Sequence, residues 1–179
     1  MATCEIQANE RNIYLRQRLV RIMPNETSPT PQQAATLMDR VFALVRECPV
    51  GRVTTYSWIG KALGYPRGAR MIGWIMNETP EGVPAQRVIN SKGELSGSWA
   101  FGQRGKMRQL LEAEGITFSA DERVDLKRYG WDPSRDLSAE ELQRIVNNAA
   151  SLSVNASPRL LYLLRNDPAS PLRSAPPVE

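Results

Sequence analysis

The residues able to do chemistry in this chain fall in two short stretches. From Gly51 to Arg70 there is no acidic residue, while Arg52, Lys61, Arg67 and Arg70 are all basic. Such a run favours phosphate. Inside it, Thr54 and Thr55 put hydroxyls beside Tyr56 at what reads as a helix N-terminus, a place suited to an anion. Arg70 follows Gly68 and Ala69. Their small side chains would let the backbone come close to a polyanion and leave a long cation free beside it. The second stretch is Val83-Pro84-Ala85-Gln86-Arg87-Val88. Nothing in it is reactive: Ala85 has neither lone pair nor proton, and Gln86 cannot cycle as a base near neutral pH.

Composition narrows the chemistry further. The 179 residues include no histidine and two cysteines, Cys4 and Cys48. A Ser-His or Cys-His pair therefore cannot exist, and a zinc site of His and Cys ligands is not credible; no metal or other cofactor is expected. Cys48 falls at the end of a predicted helix and Cys4 in the N-terminal stretch, so both read as bystanders. The formal net charge of +4 favours an anionic partner only weakly. No apolar run approaches the roughly 20 residues of a membrane helix, and the N-terminus lacks the apolar core of a secretory signal. The expectation is a soluble intracellular protein, cytoplasmic and nucleoid-associated, or nuclear in a eukaryote.

These residues need elements to position them. Leu37, Val41, Phe42, Leu44 and Val45 recur at helical spacing and predict a helix over Gln33–Glu47. Arg52-Val53-Thr54 favours a short strand. Thr55 is a good N-cap for a helix over Tyr56–Leu63, with Trp58, Ile59 and Leu63 inward and Gly64 as the stop. A second helix, Arg67–Met76, buries Met71, Ile72 and Ile75; Trp74 is read as packing. Two short helices about a Gly-containing turn make a helix-turn-helix. Arg87-Val88-Ile89 and Glu94-Leu95 flank Asn90-Ser91-Lys92-Gly93, a hairpin signal that suggests a wing. Gly97–Gly105 is a loop containing Trp99 and Phe101. A helix over Lys106–Glu114 follows, then a strand at Ile116–Phe118 and a strand or turn at Val124–Tyr129. Ser138 with Glu141 three residues on predicts a capped helix reaching Ala150. Beyond Ser157 the chain is rich in Pro and Ser and most of it is expected to be mobile, with Leu160–Leu164 able to dock on the domain or on a partner. A short helix around Ile13–Val20 is expected in the N-terminal stretch, before Pro24 breaks the chain.

The segments VTTYSWIGKALG, GARMIGWIM and PAQRVINSKGELSG, in this order and spacing, resemble the DNA-binding and active-site region of the O6-alkylguanine-DNA alkyltransferases over about Gln33–Pro133. The resemblance implies an α+β, mostly helical fold like the winged helix-turn-helix C-terminal domain of those enzymes. It implies that Arg70 props the base stack from the minor groove. It also implies that Tyr56 presses on the phosphate 3′ to a flipped nucleotide. In that family the second block reads Pro-Cys-His-Arg-Val, and the cysteine accepts the alkyl group. Here Ala85 and Gln86 take those two places. The missing cysteine resembles the alkyltransferase-like proteins, which carry another residue there, often tryptophan, whereas Gln86 departs from the histidine usual even in that group. The glutamate behind the histidine matches Glu114, expected here to stand without its partner. Thr79 before Pro80 replaces an asparagine of the active enzymes. The implied site comprises Thr54, Thr55, Tyr56, Arg67, Gly68, Ala69 and Arg70 on DNA. The implied lesion pocket is built from Tyr56, Val83, Pro84, Ala85, Gln86, Arg87, Ser96 and Gly97.

The expected organisation is an N-terminal extension over 1–32, the DNA-binding domain over 33–133 and a partly helical, partly disordered extension over 134–179. The expected function is a non-enzymatic sensor, acting as a monomer, that binds O6-alkylguanine in duplex DNA, flips it and flags it for nucleotide excision repair proteins. The competing reading is a winged-helix regulator without lesion preference, which would read DNA sequence instead.

Overall fold

The computed structural model describes residues 31–149 and 156–173, with the side chains of 31–35 excepted. Its first helix, α1 (Pro31–Arg46), runs as the apolar spacing predicts. It buries Leu37, Met38, Val41, Phe42, Leu44 and Val45. The chain then forms β1 (Thr54–Thr55), α2 (Tyr56–Ala62) and α3 (Ala69–Met76). Thr55 caps α2 by accepting from the Trp58 N–H at 3.1 Å. Helices α2 and α3 meet at a turn where space is the constraint. A Cβ on Gly60 would lie 2.8 Å from the Tyr65 carbonyl oxygen, and one on Gly68 would lie 2.9 Å from the Tyr65 Cβ. Glycine at these positions lets the two helices close on each other.

β2 (Val88–Ile89) pairs with β1 in parallel, Thr54 opposite Val88 and Thr55 opposite Ile89. The expected hairpin is corrected here. Asn90–Gly93 does turn, closed by Asn90 N–H to the Glu94 carbonyl at 3.2 Å and by the Asn90 carboxamide oxygen on the Lys92 and Glu94 amides. No return strand follows, because Ile89 is already paired with Thr55 and the Gly93 carbonyl accepts from Val124 at 2.9 Å. The strand expected at Ile116–Phe118 reduces to one bridge, Phe118 with Val124. Asp125 caps a short helix, α5 (Leu126–Tyr129), where a strand or turn was expected. Between these lies α4 (Lys106–Ala113), with Met107 and Leu111 buried.

After α6 (Pro133–Asp136), α7 (Ala139–Asn147) begins with the predicted capping box of Ser138 and Glu141. The largest departure comes last. α8 (Pro158–Asn166) is ordered and packed, with Leu160 at 2 % and Leu164 at 0 % exposure in one core with α1 and α3. Its cap, Ser157, is bonded through its amide and hydroxyl to the Glu78 carboxylate just beyond α3. Of the two readings of Leu160–Leu164, docking on the domain holds, and the expectation of a mostly mobile stretch after Ser157 is narrowed for 157–173, where Leu160 and Leu164, four apart, bury enough apolar area to hold the helix. A second core, Val53, Ile89, Met107, Leu111, Ile116, Val124 and Tyr129, fills the other side of the two-stranded sheet. The helix expected near Ile13–Val20, Cys4 and the last residues from Ser174 lie outside the described residues. Among the described residues no helix is long and apolar enough to cross a membrane.

Candidate nucleic-acid interface

Each strand of the sheet is two residues long, about 7 Å. It joins the start of α2 to the turn that precedes β2 over a side chain's length. Tyr56 opens α2, and Ala85–Arg87 form a 3₁₀ turn entering β2. That turn is preset by Pro84, at φ −75° and ψ 65°, with the Ala85 N–H on the Val83 carbonyl at 2.7 Å. This is an inverse γ-turn. Val83 is buried beneath it, and Ala85 is half-buried against the α1/α3 core.

Tyr56, Ser96 and Gly97 come together as the sequence implies. The Tyr56 phenol is pushed up in pKa by burial, with a side-chain hydrogen bond to Ser96 acting the other way. A Cβ on Gly97 would lie 2.9 Å from the Tyr56 hydroxyl, so the loop approaches this ring with no room to spare. Trp99 follows two residues later in a 3₁₀ turn, Ser98–Phe101, and is 67 % exposed. Sequence reasoning gave it only a place in a loop. Its exposure is a property of the fold that periodicity cannot signal.

Arg67 and Arg70 are exposed, and neither side chain has a hydrogen bond or ion pair among the described residues. Arg70 is the second residue of α3 and the exposed residue of its opening turn, whose Met71 and Ile72 are buried. Three expected DNA contacts are revised. Thr54 and Thr55 are both fully buried. The Thr55 hydroxyl is engaged by the Trp58 amide and by Ser57 at 3.0 Å, and Thr54 lies in the sheet with its hydroxyl unpaired. Neither hydroxyl can reach a phosphate; their part is to set the start of α2. Gly68 is buried too, and its smallness serves the contact with Tyr65 instead of one with DNA. Ala69, half-buried, opens α3.

Behind the Ala85 turn lies a polar cluster centred on Glu114. One carboxylate oxygen accepts from the Gln86 amide at 2.9 Å; the other accepts from Arg87 Nε at 2.8 Å and from the Gly51 N–H at 3.2 Å. Arg87 also donates to the Cys48 carbonyl at 2.7 Å. Burial alone would raise the Glu114 pKa, but the bonds from Arg87, Gln86 and Gly51 together hold it below the usual carboxylate range. The expectation that Glu114 stands without its partner is thus overturned: Gln86 itself donates to it. Cys48 lies beside this cluster with its thiol pushed up to about 12 by burial, against the pull of Arg87. At that value it is a thiol, not a nucleophilic thiolate, at neutral pH. Among the described residues no group of three His, Cys, Asp or Glu side chains is placed to hold a metal.

The comparisons with known proteins bear on the same stretch. The family profile "6-O-methylguanine DNA methyltransferase, DNA binding domain" matches residues 36–116. The DNA base-flipping protein of Vibrio parahaemolyticus is 42% identical over 96 residues, covering 52% of this chain and 94% of that protein. That of Escherichia coli is 36% identical over 117 residues, covering 62% of this chain and 89% of that protein. Alkyltransferase-like protein 1 of Schizosaccharomyces pombe is 35% identical over 100 residues, covering 52% of this chain and 93% of that protein. With relatives matched over nearly their full length at these identities, the helix-turn-helix, the Ala85 turn and the Glu114 cluster belong to a member of the 6-O-methylguanine DNA methyltransferase family, in its alkyltransferase-like, base-flipping branch.

Proposed function

We propose that this chain is a non-enzymatic DNA damage sensor. It binds O6-alkylguanine in duplex DNA, rotates the nucleotide out of the stack and marks it for nucleotide excision repair proteins. The observation that carries the reading is the floor turn. By the sequence resemblance Ala85 falls at the nucleophile's place, and the Gln86, Arg87 and Glu114 side chains behind it are fixed in hydrogen bonds. Alkyl transfer needs a nucleophile and a group to receive or hold its proton. Ala85 supplies no nucleophile, Gln86 is spent donating to Glu114, and Cys48 is a buried thiol. What remains is a reader. Arg70 is free to fill the gap left by the base, and Tyr56, which lies against Ser96 and Gly97, would wall the base pocket, in which alanine would leave room for O6 substituents. The reading unit is 33–133, acting as a monomer. The names of the base-flipping and alkyltransferase-like relatives agree with this reading.

The test is a fluorescence anisotropy titration with two duplexes differing only at one guanine O6. At least about tenfold tighter binding to the O6-methylguanine duplex, some 1.4 kcal/mol, is expected, with no mass gain on the protein. Equal affinity for the two duplexes would discard the sensor and favour a regulator without lesion preference. A stable mass gain would make the chain a transferase.

A further inference from the structure

Helix α8 presents two faces of different chemistry. Leu160 and Leu164 enter the core with α1 and α3. Arg159, Tyr162 and Arg165, at three-residue spacing, form the outward face, where Tyr162 is 68 % exposed. Arg173 is exposed just beyond. None of these three arginine side chains has a hydrogen bond or ion pair among the described residues. In the described stretch 156–173 the sole carboxylate, Asp167, is 5 % exposed and turned to the Ala169 amide. Within 156–173 the exposed charge is therefore all positive, and Glu78, the carboxylate at the Ser157 cap, is bonded to that serine. Surface charge elsewhere is mixed: α7 exposes Glu140 and Glu141 beside Arg144.

The position of this face matters as much as its charge. α8 packs on α3, the helix that carries Arg70, and Ser157 ties it to Glu78 at the far end of α3. Packed helices lie about 8–10 Å apart, so α8 is a neighbour of the reading helix, with its arginine face turned away from the shared core. It lies outside residues 36–116 that match the family profile.

We propose that the outward face of α8 is a second DNA-binding surface. Arg159, Arg165 and Arg173 take backbone phosphates of the duplex flanking the site read by α3, and Tyr162 supplies a hydroxyl and a ring against the sugar-phosphate chain. It rests on the DNA-binding part of the proposed function and not on lesion choice. Its effect is a longer footprint and a steeper salt dependence than the family domain alone provides. Neutralising phosphates releases counterions, and each lost contact lowers the magnitude of the slope of log K against log salt by about 0.9.

The experiment uses the full chain with R159Q/R165Q/R173Q, and with R144Q on α7 as the control. Each is titrated against short and long duplexes, plain and O6-methylguanine-containing, across a salt series. For the triple variant the slope on long duplexes is expected to fall by about 2 to 3, with little change on a duplex too short to pass α8. R144Q is expected to match wild type. The lesion-to-plain ratio is expected to be the same in all three proteins. Because the substituted side chains are exposed, the melting temperature serves as the check on folding; Y162A, which should weaken long-duplex binding severalfold, gives an independent arm. Wild-type slopes in the triple variant, or an equal loss in R144Q, overturn the proposal. Loss of lesion preference in wild type would sink the sensor reading but leave the plain-duplex comparison to decide this one.

Discussion

Replacing Glu114 probes the cluster beneath the floor turn. Glu114 accepts three hydrogen bonds, and its side chain and that of Arg87 are 12% and 13% exposed. Glu114→Ala leaves Arg87 a largely buried cation with only the Cys48 carbonyl for company. Removing one partner of a buried pair costs about 3–5 kcal/mol; the residual exposure puts this case near 3. For a chain of this size that is a melting-temperature loss of roughly 6–12 °C. Glu114→Gln keeps an acceptor and loses the charge, at about 1.5–3 kcal/mol. The pH dependence separates this account from simple cavity formation. The folded pKa of Glu114 lies below its unfolded value, which is about 4.3. Its contribution is therefore complete above that pH and is lost as pH falls through the folded pKa. The stability gap between wild type and Glu114→Gln, from urea titrations, should be flat from about pH 7 to 5 and narrow below about 4. A melting shift under about 2 °C for Glu114→Ala, or a gap that widens in acid, would refute the reasoning.

Other outcomes follow from the same contacts. Leu164→Ala should cost about 2–5 kcal/mol, read by urea unfolding, because Leu164 is fully buried against α1 and α3; a neutral result would detach α8 from the core. Cys48 should resist alkylating reagents in the native protein at neutral pH and react on unfolding, as peptide mapping would show, since its thiol is buried and pushed up to about 12. Ala85→Cys alone should take up no alkyl group from O6-methylguanine duplex. Ala85→Cys with Gln86→His should do so slowly, by intact-mass measurement, because only the second variant places a titratable base against Glu114. Arg70→Ala should weaken binding to the lesion duplex at least tenfold while leaving the melting temperature within about 2 °C, consistent with an exposed side chain.

How legible this was depends on the range of the interactions involved. The helices carrying local signals were readable: the apolar period of α1, the Thr55 cap and the Ser138–Glu141 box are contained within a few residues. Arg67 and Arg70 are exposed within the basic run that the sequence displays, and Tyr56 opens α2 after its Thr55 cap, as local spacing predicts. The parallel pairing of β1 with β2 was not, since Thr54 and Val88 are joined only by tertiary structure. That pairing removed the hairpin which Asn90–Gly93 announces locally. Burial of Thr54, Thr55 and Gly68 escaped for the same reason: short polar or small residues give no hint of which side faces solvent. The Gln86–Glu114 bond spans 28 residues, and the substitution of glutamine for histidine gave no sign that it would still reach the carboxylate. In the C-terminal stretch, Pro and Ser content suggested mobility, yet two leucines four apart and one capping serine suffice to seat α8.

The most direct measurement of the central claim places a fluorescent purine beside O6-methylguanine in a duplex and follows its emission as the protein is added, then recovers the DNA and analyses its bases. Rotation of the nucleotide predicts a rise in emission that competitor DNA reverses, absent with Arg70→Ala, and recovery of the O6-methyl group intact. No rise with wild-type protein, or recovery of plain guanine, would contradict a reader that opens the duplex without reacting.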